Sequence, residues 1–426
     1  MPSRRVITYT WRVADSFEKL GASYFQDPHS LHARLREEGP VVRVEMPEGF
    51  PAWLVTRYAD VRAALADQRL CKDWRKLAAA HYAASAAGDP AVEPAEASPE
   101  NMLAVHMLNM DPPDHTRLRK LVTKAFTARR VEGLRPRVAE IAGSLLDDLA
   151  VRDGDTVDLL ESFAFPLPVT VISELLGVPA ADRDKFRAWS DAVVSSVARP
   201  EQMRTAAAEM IAYFTAQAEA RRRSPGASDD LLAALVQARG EEDRLSTGEL
   251  ISMVFLLLVA GHETTVNLIA SGTLALLLDP AAHARLRADR TLLPAAVEEM
   301  LRYTSPVNHA TLRFTTEPTT LAGVEIPAGQ IVIAGLSSAN RDATRFAEPD
   351  AFDLDRDSGG HVAFGHGSHY CLGAPLARLE AQIAFGGLLD RFPDMTLAVP
   401  TADLRWRTST LIRGLERLPV RLYGAG

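Results

Sequence analysis

The residues best suited to chemistry gather near the C-terminal end, in Phe364-Gly365-His366-Gly367-Ser368-His369-Tyr370-Cys371-Leu372-Gly373-Ala374-Pro375, which runs into the helical stretch Leu376-Ala377-Arg378-Leu379-Glu380. Cys371 is one of only two cysteines. The glycines let the backbone turn tightly and approach another group closely, and the following helix points unpaired N–H groups back at the sulfur. An isolated cysteine is more often a small buried hydrophobe, but that role needs neither flanking glycines nor two nearby imidazoles. Two metal chemistries compete. His366, His369 and Cys371 supply three zinc ligands, or Cys371 alone is the axial thiolate of a haem iron. The spacing H-x-x-H-x-C is unusual for zinc and leaves the fourth ligand elsewhere; the stretch by itself leaves both open.

A second group lies inside an apolar helix. Ser246 and Glu249 fit a capping box, and the helix they start runs to Leu278, apolar on every face as a helix through a large core is. Gly261, Glu263, Thr264, Thr265 and Asn267 interrupt it. Either Glu263 faces the surface and the threonines bond back to carbonyls, or a local bulge sets an acid and a hydroxyl in a groove, placed to manage protons. Two further pairs share helix faces: His115 with Arg119, and Glu299 with Arg302. The first is a solvated basic face, supported by Arg117 and Lys120, or a grip on a carboxylate or phosphate. Asp111 is the expected cap of its helix.

The elements that position these residues follow in order. A helix over residues 28–39 precedes a hairpin, Val41–Val44 with Ala52–Thr56, and a helix over Tyr58–Leu65. Residues 78–102, rich in Ala, Pro, Glu, Ser and Gly, are expected to form a long mobile loop. Residues 131–240 are helical almost throughout, and the prolines in Phe163–Val169 imply a kinked helix start. A second hairpin is expected over Leu321–Ala334, turning at Pro327-Ala328-Gly329.

Composition bounds the function. The 426 residues suffice for one large core or two to three domains, and a net charge of −8 argues against nonspecific binding to DNA or anionic membrane. The N-terminus lacks the apolar block of a signal peptide. The most apolar run, Leu250–Gly261, spans about 12 residues, short of a bilayer. Two distant cysteines form no disulfide framework. A cytoplasmic protein without membrane or nucleic-acid contacts is expected.

Taken together, these segments resemble a cytochrome P450 of the soluble bacterial type over essentially the whole chain. F-x-x-G-x-x-x-C-x-G runs from Phe364 to Gly373, the oxygen-activating helix motif is Ala260-Gly261-His262-Glu263-Thr264-Thr265, and E-x-x-R is Glu299 to Arg302. The resemblance implies a mainly α fold, a triangular helical prism with a small β-rich region, formed as a single domain over residues 1–426 with no fused reductase. It implies haem b, with Cys371 as axial thiolate and His115, Arg119, Arg313 and His369 on the propionates; His366 would then be no ligand. Glu299, Arg302 and Arg356 would form a buried structural triad. Thr264 and Glu263 would relay protons while one atom of O2 enters a C–H bond and the other leaves as water. Electrons would come from NAD(P)H through an external ferredoxin and ferredoxin reductase, docking at Arg117, Lys120 and Lys124 on a monomer.

Within the family, Lys72-Asp73-Trp74-Arg75, Glu174-Leu175-Leu176-Gly177-Val178-Pro179 and Ala260–Ile269 are similar to the actinobacterial group that hydroxylates macrolides and other polyketides and includes vitamin D3- and sterol-hydroxylating members. The 78–102 loop would then be a lid over the pocket. The wall would draw on Leu103, His106, Phe165, Val254, Leu257, Ala260, Asn308, His309, Thr410 and Leu411, with Glu93, Glu96, Glu100 and Asp191 as candidate partners for a substrate amine. It suits a bulky, largely apolar molecule, a macrolide or other polyketide. The alternatives are a sterol or vitamin D-like substrate, epoxidation on the same scaffold, and, in a different class, a zinc-stabilised helical binding protein.

Overall fold

Asp27 caps α1 (Pro28–Glu38): its carboxylate accepts the backbone N–H groups of His29 and Ser30, and Pro28 has no N–H to leave unpaired. The computed structural model describes residues 17–76, 99–152, 156–194, 200–238 and 244–423. The strands β1 (Glu18–Lys19), β2 (Val41–Glu45), β3 (Pro51–Val55), β4 (Leu70–Cys71), β5 (Arg313–Thr315) and β6 (Ile331–Ala334) form one mixed sheet in the order β1-β2-β3-β6-β5-β4. The first expected hairpin is present, β2 antiparallel to β3 with Val41 opposite Val55. β3 then runs parallel to β6, Trp53 opposite Val332.

The second hairpin differs from expectation. Thr319–Leu321 pairs with Val324–Ile326 across Ala322 and Gly323, at φ 49° and 83°, while Ile331–Ala334 leaves to pair with β3 and β5. A left-handed two-residue turn matches the twist of its strands, and an alanine in that conformation leaves no compositional signal. The stronger-looking Pro327-Ala328-Gly329 turn instead returns the chain to β5, with Gly329 N–H on Thr315 O.

Helices make up most of the rest. Residues 78–98 of the expected lid loop lie outside the described residues; its last four, 99–102, belong to the helix Pro99–Leu103. α2 (Asp114–Ala125) is not capped by Asp111, whose carboxylate instead accepts the backbone N–H groups of Lys72 and Asp73. The kinked start is a wide π turn: Phe165 N–H donates to Leu160 O, five residues back, before α3 (Pro166–Leu175) begins on its proline.

α4 (Thr247–Leu278) starts with both halves of the capping box, Glu249 N–H on Ser246 Oγ at 3.2 Å and Ser246 N–H on Glu249 Oε2 at 2.8 Å. Its 32 residues are long and apolar enough to cross a membrane by length and composition, more than the short run suggested, but two thirds of its most apolar window is buried inside the protein. It packs against α3, α5 (Leu293–Thr304) and α6 (Ala374–Arg391). No bulge forms at the motif. The helix stays regular because its polar side chains bond back one turn: Thr264 Oγ1 to Ala260 O at 2.9 Å, Thr265 Oγ1 to Gly261 O at 3.4 Å, and Asn267 Nδ2 to Glu263 O at 2.7 Å.

Candidate active site

Cys371 sits at the mouth of α6, where Gly373 and Ala374 aim their backbone N–H groups at its sulfur. Burial pushes the thiol up, while those amides and the charges of Arg119 and Arg378 pull the other way. The loop is fixed on both sides. Cys371 N–H donates to Phe364 O at 2.9 Å, and Gly365 and Gly367, at φ 73° and 74°, make the turns between them. A Cβ on Gly367 would meet the backbone of Leu65 and Ala66 at 3.0–3.2 Å, so only glycine lets the loop lie against the helix of Tyr58–Ala66.

Below the loop, Glu298 takes a bidentate grip from Arg378, at 2.6 and 2.8 Å, and a contact from His361 at 3.1 Å. Burial raises the Glu298 carboxyl but these partners outweigh it, leaving it at about 2. The Arg378 guanidinium also lies 4.5 Å over the Phe364 ring. This clamp was missed in the sequence, although Arg378 stood in the stretch first singled out. Glu299, the next residue, meets Arg302 and Arg356, as well as Ser358 Oγ and the Asp353 amide. Arg302 spends its remaining donors on the carbonyls of Asn340, Pro349 and Ala351, and Asn340 Oδ1 accepts Val362 N–H at the entry to the cysteine loop.

Above the cysteine, the structure gathers cationic and donor groups from four separate segments. His115 and His369 have ring centroids 4.2 Å apart, Arg119 Nη2 donates to Tyr370 O at 2.7 Å, and Arg313 is buried with its guanidinium on the carbonyls of Leu65 and Leu70. Lys72, read in the sequence only as a subgroup feature, joins them: it is buried, its ammonium donates to Thr311 Oγ1, and burial lowers it to about 7. Burial first, then Lys72, His115, Arg313 and Arg119, drive His369 down to about 2. Both ring nitrogens of His115 and the Nε of Arg313 are buried without a partner. Like-charged donors crowded in this way fit anionic carboxylates. Arg117 is not part of a free basic face, since it pairs with Glu249.

In the middle of α4, Phe255, Leu257, Val259, Ala260, Gly261 and Thr264 keep some accessible surface while their neighbours are buried. The spacing i, i+3, i+7 puts Leu257, Ala260 and Thr264 on one accessible face, while Gly261 beside them lies against Ile172, where a Cβ would come within 3.1 Å of its side chain. Thr264 lies on the accessible face and Glu263 does not. Glu263 is buried and ion-paired with Arg407, its second oxygen 3.8 Å from His262 Nε2. The expected acid and hydroxyl therefore lie on different faces of α4.

The expected wall divides. Leu257, Ala260 and Leu411 have accessible surface, as does Leu312. Leu103 and Val254 are packed into the main apolar core, and Phe165 lies edge-on to His262 at 5.9 Å. His309 is not a wall anchor: it is buried against Tyr24 and His32, with Nε2 3.0 Å from Tyr24 OH. Thr410 is committed to Glu48 at 2.7 Å. Asn308 and His106 are buried, each with one side-chain atom unpartnered, and burial lowers His106 to about 4. Glu93 and Glu96, and the side chains of Glu100 and Asp191, lie outside the described residues.

Among the described residues no group of three or more His, Cys, Asp and Glu is placed to hold a metal ion, so His366, His369 and Cys371 do not converge as a zinc site. A family model described as Cytochrome P450 matches residues 169–397. The chain belongs to the cytochrome P450 family. It is 51% identical over 403 residues to the cytochrome P450 monooxygenase PikC of Streptomyces venezuelae, covering 94% of this chain and 92% of that one. It is 47% identical over 409 residues to the vitamin D(3) 25-hydroxylase of Pseudonocardia autotrophica, covering 96% and 97%. The solved structure of PksS, the bacillaene polyketide synthase cytochrome P450 of Bacillus subtilis 168, superposes with a TM-score of 0.86 at 42% identity, covering 95% and 98%. The fold is thus the helical prism of the P450s, and the protein is a P450 monooxygenase, a haem-thiolate enzyme. The glycine-flanked Cys371 and the carboxylate-seeking donors above it fit that cofactor.

Proposed function

We propose that this P450 hydroxylates a bulky, largely apolar natural product, a macrolide or other polyketide. The carrying observation is the accessible face of α4, Leu257, Ala260 and Thr264, apolar but for one hydroxyl. A wall of that kind gains from excluding water around a large apolar surface and orients it with few polar contacts. The PksS likeness supports a polyketide, and the 25-hydroxylase likeness favours a sterol or vitamin D-like substrate as a second reading. Epoxidation on the same scaffold would differ only in which bond the wall presents.

In this reading Cys371 would supply the thiolate that holds haem b, and His115, Arg119, Arg313 and His369 would hold its carboxylates. Bound haem supplies reductive activation of O2, one atom entering a C–H bond of the substrate and the other leaving as water. Thr264 holds a proton at its Oγ1 on the accessible face, and Glu263 supplies protons from the adjoining face of the helix. The Glu299, Arg302 and Arg356 group and the Glu298 clamp hold the cysteine loop in register. Electrons come from NAD(P)H through a ferredoxin and its reductase, with the exposed Lys120 and Lys124 on the docking face.

The test is spectroscopic and chemical. The reduced CO complex should show the red-shifted band of thiolate ligation, and Cys371→Ala should abolish it. A panel of macrolides, linear polyketides, sterols and vitamin D3 should then be ranked by spin shift and turned over with product analysis. A macrolide or polyketide hydroxylated in preference to the sterols supports the proposal; sterol turnover alone replaces it with the second reading.

A further inference from the structure

Arg407 was not marked in the sequence, yet it holds the one acid of the oxygen-activating motif. Its Nη1 pairs with Glu263 Oε1; the arginine side chain keeps 39% of its surface exposed and the glutamate 10%. The surrounding segment is built to present it. Arg407 N–H donates to Gly414 O at 2.8 Å, Trp406 bridges to Leu415, and the Arg413 guanidinium lies 3.8 Å over the Trp406 ring. One side of this loop is pressed on α4. A Cβ at Gly414 would fall 1.7 Å from Asn267 Oδ1, and Asn267 Nδ2 is the donor to the Glu263 carbonyl. The other side is tied to distant parts of the chain, through a paired hydrogen bond with Gln26, the Thr410–Glu48 contact, and Asn308 N–H on Leu411 O.

A buried carboxylate keeps its charge and place only if a counter-charge is fixed beside it. An arginine suits this because its planar fork limits how the carboxylate turns. Its outer edge meets solvent while its inner edge meets Glu263, so the pair joins bulk water to the helix next to Thr264. We propose that Arg407 is the positioning residue for Glu263, and that the 405–415 loop is a strap that fixes the helix segment Glu263–Asn267 and with it proton entry. This rests on the reading of Glu263 as a proton carrier.

The test uses holoenzyme and two readouts. Hydrogen exchange of the backbone amides over residues 262–268 should rise about tenfold or more in Arg407→Gln and stay near the parent rate in Arg407→Lys, since loss of a fixed partner lowers local protection. With NADPH, a plant-type ferredoxin and ferredoxin reductase and no organic substrate, the solvent deuterium isotope effect on O2 consumption should change in Arg407→Gln, and the Glu263→Gln, Arg407→Gln double variant should be no worse than Glu263→Gln alone. If Arg407→Gln does not retain haem, Gly414→Ala, which displaces the strap without removing the charge, should produce the same two changes. Unchanged exchange and isotope effect in the Arg407 or Gly414 variant overturn the proposal. An altered isotope effect in Glu263→Gln with parent behaviour in Arg407→Gln removes Arg407 while keeping the acid. No isotope change in Glu263→Gln removes the proton-carrying reading itself, and the amide exchange still decides the strap.

Discussion

The guanidinium of Arg302 closes on both oxygens of Glu299 one helical turn away, Nε to Oε2 and Nη2 to Oε1 each at 2.7 Å, with 0% and 1% of the two side chains exposed. Burial alone would raise the Glu299 carboxyl; Arg302, Ser358 and the Asp353 amide more than offset it. Arg302→Leu should cost about 3–5 kcal/mol, because it removes the bidentate partner of a buried carboxylate, leaving it the single cationic contact from Arg356, and abandons three carbonyls. Arg302→Lys should recover little, since an ammonium cannot reproduce the bidentate contact and three carbonyl bonds. The urea midpoint with haem content as a parallel readout checks this; a fully stable, haem-loaded Lys variant would contradict it.

Acid should loosen the other side of the molecule. His32 and His309 are fully buried with ring centroids 5.6 Å apart, facing Tyr24, Ser337, Arg36 and Arg413. Burial, then neighbouring positive charge for His32, lowers both, His309 to about 4. Each is neutral in the fold and protonated in the unfolded chain below pH 6.5, so their contribution is complete above that pH and lost as pH falls toward 4. Stability should drop on the order of 2 kcal/mol or more across this window. The drop should shrink in His309→Gln, as denaturant melts at pH 7 and pH 5 would show; an equal drop in parent and variant would exclude His309.

Lys72→Met should separate two effects that usually move together. Removing a buried ammonium from beside Arg313 relieves its desolvation and like-charge repulsion, so the apoprotein should be no less stable. One charge-assisted contact to a haem carboxylate is worth about 1.5–3 kcal/mol, so haem transfer to apomyoglobin should be about tenfold faster or more. Haem loss at the parent rate would take Lys72 out of the carboxylate-binding group.

Thr264→Ala should keep the thiolate-type CO band and raise peroxide release per NADPH consumed. The hydroxyl stands on the accessible face of α4 and donates to Ala260 O. A general acid or base in such a position typically contributes 10²–10⁴-fold. Peroxide yield measured against oxygen uptake is the check, and full coupling in the variant would dismiss the assigned role.

The sequence was most informative where local chemistry is self-contained. The Ser246 and Glu249 cap, the Glu299 and Arg302 turn and the glycine-bounded cysteine loop are each written within a few consecutive residues. Patterning also marked α4 as a core helix. It failed where partners come from far along the chain. Asp111 looked like a cap because it precedes a helix, yet it is taken by the Lys72 and Asp73 amides. Nothing near Glu263 announces Arg407, and nothing near His309 announces Tyr24. Lys72 lacked any local sign because its meaning is set by what four segments converge upon. The left-handed Ala322 misled the placement of a hairpin for the opposite reason: a residue type that avoids that conformation adopts it.

The parallel pairing of β3 with β6 has a temporal side. Trp53 and Val332 are separated by about 280 residues, and synthesis at about 5–20 residues per second puts roughly a quarter of a minute to a minute between their emergence. For that interval β3 has only its hairpin partner β2 on one edge and an unpaired backbone on the other, the kind of edge that recruits strands from other chains. The newborn protein therefore carries an unpaired strand edge through that interval, and a slower ribosome or a missing holdase should raise aggregation through this half of the sheet.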